Sequence, residues 1–128
     1  MTSNSQVFGK DAEVAAEQYL RQQGYRILGR NIRLSNGELD IVAQHHDTIV
    51  FVEVKARRTG QFGGASYAVT PQKQQRLINL AAQYLSQHKW SHRLSRFDVM
   101  LYQCDDKQVG HLEHLVNAFE LAGNDGRW

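Results

Sequence analysis

The chain is poor in the residues that cross-link or anchor: one cysteine and one proline among 128 residues. Cys104 alone cannot close an internal disulfide. No cysteine or third ligand stands at zinc-site spacing from His45 and His46, or from His111 and His114, so these histidines are expected at the surface. No apolar run approaches the roughly 18 residues that span a bilayer, and the mean hydropathy of -0.53 points the same way. The polar opening MTSNSQVFGKDAE lacks the apolar core of a signal peptide. With the lone cysteine, this implies the cytoplasm and no membrane partner. The glycine-rich GQFGGAS is not followed by Gly-Lys-Ser/Thr, which removes support for nucleoside triphosphate hydrolysis through a Walker A loop. Two tryptophans, Trp90 and Trp128, at a helix end and the chain end, read as packing and tail rather than base-stacking platforms. The charge excess is small too: +2, with an isoelectric point near 8.8. Such a balance permits nucleic acid as a partner without demanding it.

What is present fits one domain, residues 1–128, with a polar lead over about residues 1–8 and a tail over about residues 120–128. Ala12, Ala15, Ala16, Tyr19 and Leu20 recur at helical spacing, and Gly24 follows as a stop, so a helix is expected over 10–23. YRILGRNIRL, 25–34, roughly alternates and runs into the turn-like SNG, as a strand does. Thr70 and Pro71 suit the cap and first turn of a helix reaching about His88, with Leu77, Ile78, Ala81, Tyr84 and Leu85 as its apolar stripe. Strands are expected at 96–102 and, more weakly, at 109–115, and NAFELAGNDGRW from residue 117 reads as a tail. The result is an α/β domain of α-β-β-β-α-β-β order. The helix between the third and fourth strands is long enough for a parallel crossover, which makes the sheet mixed.

The informative stretch is GELDIVAQHHDTIVFVEVKAR, 37–57, where Glu38, Asp40, Glu53 and Lys55 interrupt the most apolar part of the chain. A turn centred on His46 and Asp47 would set Asp40 opposite Glu53, Glu38 opposite Lys55 and Val42 opposite Phe51. HHDT is a poor two-residue turn, and an odd-length loop would break that register. Strand alternation then gives one charged face with Glu38, Asp40, Glu53 and Lys55, and one core face with Leu39, Ile41, Val50, Val52 and Val54. Cross-strand ion pairs on a half-exposed sheet, each contributing roughly 0.2 to 1 kcal/mol, are one account of this cluster. The other is a cation site, because three carboxylates face one lysine and opposed carboxylates repel unless a cation lies between them. Mg²⁺ (or Mn²⁺) takes one or two protein carboxylates and completes its oxygen shell with water and phosphate. Asp40 and Glu53 fit that demand. Lys55 would then orient a water or steady charge developing on a phosphodiester.

Other charged residues have two readings. Arg57 and Arg58, with the glycine-rich loop behind them, either close over a phosphate backbone or belong to a simple connector. Lys73 and Arg76, in the first turns of the second helix, are phosphate contacts or a solvated face. Asp98 shares a strand face with Arg96, and an internal ion pair is its simplest role.

GELD followed by FVEVKAR resembles the PD-(D/E)xK nuclease pattern, with Asp40 as the first acid and Glu53-Val54-Lys55 as the second half; the proline of that name is missing. GKDAE at 9–13, GRN at 29–31, GELDIVA, FVEVKAR, FGGA and RFDV at 96–99 resemble the YraN-type family of bacterial endonuclease-like proteins over nearly the whole chain. That family is similar to archaeal Holliday junction resolvases. The resemblance implies a restriction-endonuclease-like fold and a metal-dependent endonuclease acting on DNA, including branched or recombination intermediates, with a homodimer as the simplest way to cut two strands. It also implies that Glu13 joins Asp40 and Glu53 at the metal; without it, Glu13 is an ordinary first-turn glutamate favoured by the helix dipole. A non-catalytic nucleic-acid-binding module of the same fold and a protein-interaction domain are the alternatives.

Overall fold

A computed structural model describes residues 4–58, 69–105, 107 and 109–119, with side chains described from residue 9 onward and excluding those of residues 57 and 58. The elements run α1 (Asn4–Gln22), β1 (Arg26–Leu34), β2 (Gly37–His45), β3 (Thr48–Arg58), α2 (Pro71–Gln87), β4 (Ser95–Cys104) and β5 (Gly110–Phe119). The α-β-β-β-α-β-β order read from the sequence is therefore present. The helix begins at Asn4, inside the stretch expected as a polar lead, and β5 continues to Phe119, past the expected start of the tail. Residues 59–68, with the glycine-rich loop, and residues 120–128, with Trp128, lie outside the described residues.

Each helix is held by the signals the sequence carries. Ala12, Ala16 and Leu20 form the fully buried stripe of α1. The helix ends where Gly24 turns left-handed at φ 89, the Gly24 N–H bonding to Arg21 and the Tyr25 N–H to Leu20. Thr70 caps α2 by accepting the Lys73 N–H at 3.2 Å, and Pro71 occupies the first turn, where no N–H is missed. Leu77, Leu80, Ala81, Tyr84 and Leu85 are its buried face.

The five strands form one sheet in sequential order. All neighbours are antiparallel except β3 and β4, which run parallel, with α2 lying between them in the chain. The two-residue turn at His46 and Asp47 forms despite its poor sequence, with His46 in the left-handed region at φ 55, and the pairing runs from His45↔Thr48 to Ile41↔Val52 in the expected register.

Both faces of the central strands β2 to β4 are covered, which corrects the expectation of one core face and one charged face. Ala16 and Leu20 of α1 pack with Ile41, Ala43, Val50, Val52 and Met100. Leu77, Leu80 and Leu85 of α2 pack with Leu39, Val42, Phe51, Phe97 and Val99. One helix thus covers each side, as the near-continuous apolar run of the central strands requires. Leu39 lies on the α2 side, not with Ile41, because β1 and β2 both reverse their facing at the pair Asn31 and Asp40.

Candidate functional site

The ladder between β2 and β3 stops at Ile41↔Val52. One step further, the Val54 N–H donates to the Asp40 side chain, at Oδ2, at 2.9 Å. Asp40 therefore sits in the fork where the two strands part, its carboxylate filling a ladder position. Glu53, on the α2 side of β3, hydrogen-bonds to it through its own carboxyl group. Leu39, Phe51, Leu77 and Phe97 line a small cavity of about 10 Å³ together with both acids, giving the pair an apolar floor.

That setting explains the ionisation. Burial pushes the Asp40 carboxyl up; the Val54 N–H opposes this, and the charges of Glu13 and Glu38 add to it. Burial likewise pushes Glu53 up, to about 7, reinforced by the Asp40 charge and opposed by Lys55 and Lys73. Two carboxyl groups in hydrogen-bond contact need a proton or a cation between them. With no cation there, the pair holds a proton up to about pH 7.

Of the residues singled out in the sequence, the structure brings Asp40 and Glu53 into contact, with the charges of Lys55 and Lys73 acting on Glu53. Lys73 stands one helical turn before Leu77, whose side chain meets the acids, so it overlooks the pair. Arg76 is exposed one turn along from Lys73. Glu13 is half-buried on α1, within electrostatic reach of Asp40. Among the described residues no three His, Cys, Asp or Glu side chains are arranged to hold a metal ion, so the site as it stands offers two carboxylates. Those two fit Mg²⁺ or Mn²⁺, which need no more than that from protein. Glu38 turns away from the pair to Arg33 of β1, at 3.6 Å. The backbones of Arg57 and Arg58 extend β3 alongside Gln103 and Cys104, and their side chains lie outside the described residues.

A family model described as Uncharacterised protein family UPF0102 matches residues 12–102. The chain belongs to the UPF0102 family. It is 46% identical over 116 residues to a UPF0102 protein of Pelobacter propionicus, covering 89% of this chain and 83% of that protein. A UPF0102 protein of Stutzerimonas stutzeri is 43% identical over 119 residues, covering 92% and 98%, and one of Desulfosudis oleivorans is 39% identical over 120 residues, covering 94% and 95%. The UPF0102 segment includes both acids, Glu13, Lys55, Lys73 and Arg76.

On the α1 side of the UPF0102 sheet lies a second polar cluster that the sequence showed only in part. Asp98 is 1% exposed and accepts from Arg96 Nε at 3.0 Å, Arg96 Nη2 at 3.3 Å and the Asn117 N–H at 2.9 Å. Its second oxygen also lies 2.7 Å from His114 Nε2. The ion pair with Arg96 was expected. The burial of His114 corrects its reading as a surface histidine; HLEHL gives no sign of it, because the partner is in another strand. His45 is likewise drawn in, stacked on Tyr25 at 4.1 Å, while Arg96 donates to the Tyr25 hydroxyl at 2.7 Å. Every oxygen of Asp98 is satisfied, which makes this cluster a clasp for β5 rather than a reactive centre. No helix among the described residues is long and apolar enough to cross a membrane.

Proposed function

We propose that this protein is a metal-dependent endonuclease that hydrolyses phosphodiester bonds in DNA, branched or recombination intermediates being among the candidate substrates. The observation that carries the reading is the half-buried carboxyl pair, Asp40 with Glu53, under the charges of Lys55 and Lys73. A half-buried acid pair is a poor way to stabilise a sheet and a good way to present ligands to a divalent cation.

Asp40 and Glu53 would hold Mg²⁺ or Mn²⁺, with Glu13 as an outer carboxylate beside Asp40. The ion, when bound, supplies Lewis-acid polarisation of the phosphoryl oxygen and favours ionisation of water. Lys55 orients the attacking water and offsets the negative charge that builds on the phosphoryl group. Asp40 is itself fixed by the Val54 N–H, so its lone pairs keep one direction. Lys73 and Arg76, at the start of α2, bind the neighbouring phosphates, and Arg57 and Arg58 extend that contact along the strand. Two copies related by a two-fold axis would cut two strands of a junction symmetrically.

The test is cleavage of linear, flapped and four-way DNA in Mg²⁺ and Mn²⁺ by the parent and by Asp40→Ala, Glu53→Ala and Lys55→Ala. Metal-dependent cutting that disappears in all three supports the reading; equal cutting by the variants refutes it. The exposed cations Lys73 and Arg76 also favour a second reading, a DNA-binding module of the same fold. Salt-sensitive binding without any cleavage would select it.

A further inference from the structure

We propose that Asn31 is the positioning residue of the Asp40 carboxylate, and that the Gly29-Arg30-Asn31 segment exists to turn the β1–β2 ribbon over at that point. Arg30 pairs with Ile41 and Ile32 with Leu39, which sets Asn31 opposite Asp40. In an unbroken ribbon, residues two apart share a face. Here they do not. Ile41 packs with Ala16 and Leu20, and Arg30 bonds Glu17 of α1 at 2.9 Å. Ile32 and Leu39, one step along, pack instead in the α2 cluster, and Gly37 faces Leu80 so closely that an added Cβ would come within 3.2 Å of it.

A reversal across one residue pair needs a backbone outside the β region, and Asn31 supplies it with φ 50. Asparagine is among the few non-glycine residues that enter the left-handed region at little cost. Its partner Asp40 is not in the left-handed region. Gly29 makes room for the result: a Cβ there would meet Ile32 Cδ1 at 2.9 Å. Arg30 anchors the ribbon to α1 just before it turns. All three residues of the segment thus acquire a role. At the turning point the Asp40 side chain lies between β2 and β3, at the edge of the α2-side cavity it shares with Glu53, where it takes the Val54 N–H just past the last ladder pair.

The geometric part stands on its own; the consequence for metal binding rests on the proposed function. The experiment is amide hydrogen exchange by NMR together with Mn²⁺ titration, on the parent, Asn31→Gly, Asn31→Ala and Asn31→Val. Asn31→Gly, which keeps the left-handed backbone, should retain both the Val54 amide protection and the Mn²⁺ affinity. Asn31→Val should lose about tenfold in each, with Asn31→Ala between, since the left-handed region is costly for residues with a Cβ. Amides of Met100 and Leu101 serve as the control for an intact sheet. If Asn31→Val does not fold, Asn31→Ala carries the comparison. Folded Asn31→Ala or Asn31→Val with parental Val54 protection overturns the proposal. So does an Asn31→Gly loss as large as that of Asn31→Val. The expected Val54 pattern in a parent that cuts no DNA would leave Asn31 in place and remove the nuclease. Cutting by the parent and by Asn31→Val with the same metal dependence would do the reverse.

Discussion

Replacing Glu53 with glutamine should make the metal-free protein more stable at alkaline pH. Burial and the Asp40 charge raise the Glu53 carboxyl from its ordinary 4.5 to about 7. The folded state therefore binds a proton more tightly than the unfolded state. This stabilisation is complete below about pH 4.5 and is lost as pH rises through 7. Across that window the parent loses about 3 kcal/mol, since each tenfold tightening of proton binding contributes about 1.4 kcal/mol. That is an upper figure, because Asp40 shares the repulsion. Glutamine stays neutral throughout, and its amide can donate to Asp40 as the protonated acid does. At pH 8 the variant should melt roughly 10 °C above the parent. At pH 4 the gain should vanish, because the parent is then protonated as well. Saturating Mn²⁺ should reverse the order at pH 8, stabilising the parent by mass action and leaving the variant behind. Thermal melts at the two pH values, with and without Mn²⁺, are the assay. A variant no more stable than the parent at pH 8, or a gain of equal size at pH 4, would refute the reasoning.

Three further outcomes are expected. Asp98→Ala strands Arg96 and His114 in the interior and should cost about 3–5 kcal/mol in urea denaturation; a loss below about 1 kcal/mol would show that the clasp on β5 contributes little. Leu85→Ala empties a fully buried site under α2 and should cost about 2–5 kcal/mol with an unchanged denaturant slope. Lys73→Ala and Arg76→Ala should each lower the slope of log affinity against log salt for DNA by about 0.9; unchanged slopes would remove these residues from the phosphate contact.

The element order and the acid pair were legible because their signals are local. Thr70-Pro71 and Gly24 punctuate the helices, and the hairpin register follows from centring the turn on His46 and Asp47. The facing of Leu39 was not legible. Alternation assumes an unbroken β backbone, and Asn31 breaks it from the neighbouring strand. His114 escaped for a similar reason, since its partner Asp98 lies sixteen residues away and meets it only through β4–β5 pairing. The extra residues of β5 between Leu115 and Phe119, where Asn117 turns left-handed at φ 55, extended that strand beyond a sequence that reads as a tail.

The hairpin of β2 and β3 also bears on how the molecule assembles. Asp40 and Glu53 meet across a two-residue turn, whereas β4 reaches β3 only after the whole of α2 has been threaded past. Loop-closure entropy favours the hairpin first, on a timescale of microseconds. At that stage the two acids stand in water and ionise as ordinary carboxylates. The proton that joins them is taken up later, when α2 docks and closes the apolar floor beneath them. Docking of α2 is thereby expected to be coupled to proton binding. Stopped-flow refolding should slow between pH 5 and 8, and should quicken again with Mn²⁺; a rate independent of both would mean that the acids are desolvated before α2 arrives.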